Sequence, residues 1–233
     1  SKDKVELPYE MWSMDKIKPD TGALEKWVRK YPGPYVLSCK LDGVSGMYST
    51  EGAEPKLYTR GDGRVGQDVS HIIPFLKLPK EPGLVIRGEF IVPKKVFADK
   101  YGPLSTGTGR KFANPRNFVA GVINQKKVEP GKYGDIDFVA YELIRPWKSP
   151  LEQLTTLQTM NIDVVKFIER DTVSNELLSE LLVKWREDYE YEIDGVICTE
   201  DKASHSDPDE RPEGNPEHAF AFKMVLSDQV AET

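Results

Sequence analysis

The sequence predicts an α+β domain built mainly from antiparallel sheets. Three observations carry this. Short strand-like runs recur at 35–40, 44–50, 56–60, 84–92, 136–143, 163–168, 193–199 and 219–225. Gly and Pro punctuate them, as turns require. The helical stripes between them follow no regular β-α-β alternation.

Along the chain, a first helix is expected after Asp20-Thr21, with Leu24, Trp27 and Val28 at helical spacing. A second follows Ser149-Pro150, a favoured cap and first-turn pair, and shows Leu151, Leu154 and Leu157. A third follows Ser174, with Leu177, Leu178, Leu181, Leu182 and Trp185 on one face. These stripes face a core. The stretch 200–218 is polar, acidic and Pro-containing, and is expected as a surface excursion between two strands. No internal repeat is visible.

Composition sets outer limits. The 233 residues allow one large domain or two small ones. A hydrophobic share of 39% with 30% charged residues reads as soluble and globular. No apolar stretch approaches membrane-spanning length, so a membrane partner is not expected. Cys39 and Cys198 both lie in strand-like runs, where buried free thiols fit an intracellular setting. The net charge of −6 argues against bulk adhesion to nucleic acid. Yet Lys94 to Lys132 holds nine Lys or Arg residues, opposed only by Asp99 and Glu129. That asymmetry reads as a phosphate-contacting face on an acidic body, or as a basic solvated surface.

Chemistry enters at Lys40-Leu41-Asp42-Gly43. Lys40 ends a strand-like run, and its carboxylate partner is expected two residues later. Residues i and i+2 of a strand share a face, so Lys40 and Asp42 look into one cleft. A deprotonated lysine there can attack phosphorus. The tetrapeptide alone also suits a surface hairpin. Further strings follow it in order: Thr59-Arg60-Gly61-Asp62-Gly63 with Gly66-Gln67-Asp68-Val69; Arg87-Gly88-Glu89; Phe112-Ala113-Asn114-Pro115-Arg116-Asn117 with Ala120-Gly121; Tyr191-Glu192-Ile193-Asp194-Gly195-Val196; and Ala221-Phe222-Lys223.

Together these strings resemble the adenylation (nucleotidyltransferase) domain of NAD-dependent DNA ligases, in a divergent and conceivably viral form. The resemblance covers nearly the whole chain, and Met11-Trp12-Ser13-Met14-Asp15 resembles the opening of that domain. It implies the nucleotidyltransferase fold of DNA ligases and mRNA capping enzymes, ATP-grasp-like, with mainly antiparallel sheets around a nucleotide cleft. Lys40 would attack the α-phosphorus of NAD, releasing nicotinamide mononucleotide and keeping AMP on nitrogen. AMP would then pass to a DNA 5′-phosphate for nick sealing in replication and repair. Asp42 accompanies the nucleophile. Asp194 would activate Lys40 or hold Mg²⁺, with Glu89 as a second metal candidate. Lys223 would neutralise the α-phosphate.

The resemblance also implies the nucleotide contacts. Ser13, Met14 and Ser38 line the nucleotide, Arg60 meets sugar or phosphate, and Glu89 the ribose. An ion pair with Arg87 or a lysine is the structural alternative for Glu89. Tyr141 matches the aromatic on which adenine stacks, and would otherwise be core. Arg116 would contact phosphate of the dinucleotide or of nicked DNA.

Three positions depart from the family pattern. Ser38 stands in place of a glutamate that reads the adenine. Asn124 replaces an arginine before Gln125, and Thr199 replaces a lysine five residues after Asp194. Lys202 or Lys126 would compensate, or catalysis is reduced. The expected partner is nicked double-stranded DNA, with this chain as a monomeric domain of a larger multi-domain ligase. An amino-terminal nicotinamide mononucleotide-recognition module and carboxy-terminal OB-fold, zinc, helix-hairpin-helix and BRCT modules are expected outside this chain. Two other readings stay open: an ATP- or GTP-dependent lysine nucleotidyltransferase such as an RNA ligase or capping enzyme, and a degenerate domain that only binds nucleotide or DNA.

Overall fold

The computed structural model describes residues 4–101, 114–125, 130–207 and 214–224. In chain order the elements are β1 (Lys4–Glu6), β2 (Lys16–Ile17), α1 (Ala23–Lys30), β3 (Tyr35–Leu41), β4 (Val44–Ser49), β5 (Lys56–Thr59), β6 (Val65–Gln67) and β7 (Val85–Ile91). Then come α2 (Lys94–Val96), α3 (Pro115–Ile123), α4 (Pro130–Tyr133), β8 (Asp137–Arg145), α5 (Pro150–Leu157), β9 (Asp163–Val164), β10 (Phe167–Arg170), α6 (Asn175–Asp188), β11 (Ile193–Glu200) and β12 (Ala219–Phe222).

Two five-stranded sheets form the body, ordered β10-β3-β11-β12-β2 and β5-β4-β7-β8-β9, with a small β1-β6 pair beside them. Among the described residues only β12 with β2 and β8 with β9 run parallel, so the α+β, mainly antiparallel expectation holds. The apolar faces of both sheets and of the larger helices close one core, which includes Leu37, Phe90, Phe118, Phe138, Leu157, Leu182 and Phe222. Each such side chain removed from water stabilises the fold by roughly 1.5–3 kcal/mol before entropy is counted. A smaller cluster joins Leu7, Met11, Met47, Val85 and Ile144.

The three expected helices form. In α6, Leu178, Leu182 and Trp185 are buried, and the Ser174 hydroxyl accepts from the Leu177 N–H at 3.1 Å. In α5, Ser149 occupies the cap position and Pro150 the first turn, but the serine side chain makes no capping bond. The start of α1 is Gly22, in the left-handed region.

The run expected at 163–168 is not one strand. It breaks into β9, which joins β8, and β10, which joins β3 of the other sheet. Between them the Val165 N–H donates to the Ala140 carbonyl at 2.9 Å, and the Lys166 carbonyl accepts from the Cys39 N–H at 3.1 Å. The chain thus crosses from one sheet to the other within two residues. The break is hidden in the sequence because no Gly or Pro marks it between Asp163 and Arg170.

Helix α3 was not expected. Asn114 caps it through its side-chain oxygen, which accepts from the Asn117 N–H at 2.8 Å, and Pro115 fills the first turn. The excursion after Glu200 is anchored at both ends. The Glu200 N–H donates to the His218 carbonyl at 2.9 Å, and the Trp27 indole N–H to the Glu217 carbonyl at 2.9 Å. Cys39 and Cys198 are buried and free, as expected, and burial pushes the Cys39 thiol up to about 12.

Candidate active site

A cleft of about 440 Å³ lies between the two five-stranded sheets. Its floor is the exposed face of β3 and β11. Their antiparallel register sets Lys40 against Gly195, Ser38 against Ile197 and Val36 against Thr199. Lys40, Ser38 and Val36 alternate onto one face of β3, and these three line the cleft together with Ile197 and Thr199. The facing wall comes from β4, β7 and β8, with Ser45, Arg87, Glu89, Tyr141 and Glu142. Every residue picked from the sequence as catalytic or nucleotide-contacting lines the cleft except Lys223, which joins the others through Asp194.

At one end the Lys40 ammonium donates to Asp194 Oδ1 at 3.2 Å, and the Lys223 ammonium to Asp194 Oδ2 at 3.1 Å. One carboxylate thus holds two lysines. Gly195 makes this possible. A Cβ there would stand 2.8 Å from the Phe222 carbonyl oxygen and 3.2 Å from Lys223 Cγ. Lys40 and Asp42 both line the cleft, as expected, but the carboxylate that pairs with Lys40 is Asp194. Asp42 lies one residue past the end of β3, its N–H tied to the Glu192 carbonyl at 3.0 Å. Its carboxylate instead reaches Arg116 at 3.7 Å. Burial first, then the nearby Asp194 charge, push the Asp42 carboxyl up, while Arg116, Lys40 and Lys223 pull it down. Gly43 is required next to it, since a Cβ would fall 2.2 Å from the Phe90 carbonyl oxygen.

In the middle of the cleft Glu89 is 7% exposed, and the Ser45 hydroxyl donates to its Oε1 at 3.1 Å. Burial raises the Glu89 carboxyl to about 8, against the Ser45 hydrogen bond and the Lys40 and Arg87 charges. Its alternative as the salt-bridge partner of Arg87 does not arise, because Arg87 Nη1 pairs with Glu142 Oε1 at 3.1 Å. The Arg87 guanidinium lies 5.4 Å from the centroid of the Tyr141 ring, and the Tyr141 hydroxyl donates to Ser45 Oγ at 3.4 Å.

Two arginines hold the rim. Arg60 Nε donates to the Met11 carbonyl at 2.9 Å and Arg87 Nη2 to the Trp12 carbonyl at 3.1 Å, which seats Ser13 and Met14 over the cleft. Arg60 is presented by a tight turn. The Asp62 carboxylate accepts from the Arg64 and Val65 N–H groups at 2.9 and 2.8 Å, which lowers its pKa. Ser45 and Arg87 were missed as site residues. Arg87 lay in a quoted string, whereas nothing marks Ser45 in the sequence except its register opposite Glu89.

Asp194 and Glu89 face the same cleft, but both Asp194 oxygens accept from lysines. Among the described residues no three His, Cys, Asp or Glu side chains gather as a metal site. The donor set is therefore not a ready metal cage. No described helix is long and apolar enough to cross a membrane. Of the basic segment, Lys94 donates to the Arg186 carbonyl and Lys100 pairs with Asp135 at 2.9 Å. Phe112, Ala113, Arg110, Lys111, Lys126 and Lys127 lie outside the described residues.

The profile of the NAD-dependent DNA ligase adenylation domain matches residues 3–225. The chain is similar to a DNA ligase of Acanthamoeba polyphaga mimivirus, 38% identical over 94% of this chain and 34% of that protein. It is also similar to a DNA ligase of Lactobacillus gasseri, 29% identical over 86% of this chain and 32% of that protein. The chain spans about a third of the length of these relatives. An archaeal ATP-dependent RNA ligase shares the fold at a TM-score of 0.55 and 13% identity, over 97% of this chain and 51% of its own. With the match running through both cleft walls, the chain belongs to the NAD-dependent DNA ligase adenylation domain family.

Proposed function

We propose that this chain carries out self-adenylation from NAD and serves nick sealing within a larger protein. The observation that carries this is the clamp in which Asp194 holds Lys40 and Lys223 together at one end of a nucleotide-sized cleft.

In the proposed step the Lys40 ammonium loses its proton, and the Asp194 carboxylate is the acceptor already within reach. Lys40 Nζ then attacks the α-phosphorus of NAD. A P–N bond forms, the bond from that phosphorus to the bridging oxygen breaks, and nicotinamide mononucleotide leaves with its phosphate. Lys223, released from Asp194 by the arriving phosphate, neutralises charge on the equatorial oxygens. Asp42 holds Arg116 at the cleft mouth, where the guanidinium meets phosphate. Glu89 and Ser45 bind ribose hydroxyls, Arg60 the sugar or phosphate beside them, and Tyr141 stacks the base. Ser13, Met14 and Ser38 close around it. A Mg²⁺ brought near Asp194 or Glu89 would take most of its ligands from donor phosphates and water, and would supply charge neutralisation at those phosphates. The larger protein then passes AMP to the 5′-phosphate of nicked double-stranded DNA.

The test is the intact mass of the chain after separate incubations with NAD and with ATP. An AMP adduct from NAD, mapped to Lys40 and absent from Lys40→Ala, is expected. An adduct from ATP alone would turn the reading to the ATP-dependent class. An adduct that survives Lys40→Ala would move the nucleophile elsewhere.

A further inference from the structure

The cleft has two chemically distinct ends. Lys40, Asp42, Arg116 and Asp194 crowd one of them. From there Ser38 lies two residues back along β3, about 7 Å away, and Thr199 lies beside Val36 on the neighbouring strand. Around them the lining turns apolar, with Val36, Ile197, Leu143 and Leu154. A phosphate belongs at the first end and a base at the second.

Nearly every polar side chain at the base end is already engaged. Gln153 Oε1 accepts from the Leu143 N–H at 3.1 Å, and its amide nitrogen donates to the Lys148 carbonyl at 3.0 Å. Glu142 holds Arg87. His205 Nε2 is 2.8 Å from the buried Glu200 carboxylate, and His218 stacks on the His205 ring at 4.3 Å. Ser38 and Thr199 are different. Both line the cleft, Ser38 is 9% exposed, and among the described residues neither hydroxyl has a protein hydrogen-bond partner. Neither is sealed off from the cleft, so each hydroxyl is left open to whatever fills it.

A hydroxyl carries one donor and two acceptor positions and rotates to suit its partner. It serves an exocyclic amine as acceptor and a ring carbonyl as donor equally well. We propose that Ser38 and Thr199 are the base-reading residues of this cleft, and that through them it takes 6-oxo purines alongside adenine. Dinucleotide donors bearing hypoxanthine would then serve as well as NAD. The proposal rests on the adenylation reading of the cleft. It assigns the base edge to two neutral rotors, with no fixed charge to reject the carbonyl.

The experiment is calorimetric titration of this chain with AMP and with IMP, alongside adduct formation from NAD and from its hypoxanthine counterpart. The two dissociation constants are expected to agree within about tenfold, where a site committed to one hydrogen-bond polarity discriminates by about 10⁴. Ser38→Glu supplies an acceptor with no donor, and is expected to widen the preference for AMP beyond about a hundredfold. Thr199→Val keeps the shape and removes one hydroxyl. It is expected to weaken AMP and IMP alike, by about three- to tenfold. Discrimination above a hundredfold in the unaltered chain overturns the proposal. So does an unchanged ratio in folded Ser38→Glu, or full affinity for both nucleotides in Thr199→Val. If the unaltered chain binds neither nucleotide and forms no adduct, the reading of the cleft fails and the proposal falls with it. Binding with the wrong selectivity removes the proposal alone.

Discussion

Glu89 shows what one residue contributes. Its carboxyl sits at about 8 in the folded chain, against an ordinary value of 4.5, chiefly because it is buried. The folded state therefore holds a proton that the unfolded state releases. The associated stability is complete below about pH 4.5 and is lost as pH rises through about 8. Glu89→Gln is expected to flatten the decline across that window and to raise the melting temperature at pH 8.5. A variant whose melting temperature follows the wild-type pH curve would show that Glu89 is ionised throughout. Asp42, Asp137 and Glu190 are also raised, so a residual slope remains. At this scale the sequence was legible where a charge interrupts an apolar run, as at Glu89, Asp194 and Lys223. At Asp42 it showed that the residue shares the cleft with Lys40, but not that its carboxylate pairs with Arg116. Asp194 became the partner of Lys40 through pairing across 154 positions of chain, which no local pattern encodes.

Elements were legible in proportion to how far local preference and tertiary packing agree. The stripes of α5 and α6 and the runs of β3, β7 and β11 emerged within a residue or two of expectation. Helix α3 was not expected, although Asn114-Pro115 is a cap followed by a first-turn proline. That cap predicts a measurable cost. Asn114→Ala is expected to destabilise the chain by about 1 kcal/mol in urea titration. The loss would also loosen Arg116, one residue into the helix, and slow adduct formation from NAD. Unchanged stability would mean that burial of Phe118, Val119, Val122 and Ile123 holds the helix without the cap.

At the scale of the molecule, charge is unevenly placed. The segment from Lys94 to Lys132 remains the proposed face for nicked DNA, although Lys94 and Lys100 are engaged within the fold. Charge reversal at Lys126 and Lys127 is expected to lower affinity for a nicked duplex and to flatten its salt dependence. An unchanged slope returns the segment to an ordinary solvated surface. The mainly antiparallel architecture was legible because turns and alternation are local. The crossing at 163–170 was not, since two short strands joined without a Gly or Pro look like a single strand. That crossing acts as a feeler gauge. Its two backbone bonds end on Ala140 and Cys39, the immediate neighbours of Tyr141 and Lys40. The gap between the Tyr141 ring and the Lys40 amine is therefore calibrated by the dipeptide Val165-Lys166. A glycine inserted between these two residues would leave both walls standing and mis-set the gap. It is expected to slow adduct formation by about a hundredfold while the chain still melts cooperatively.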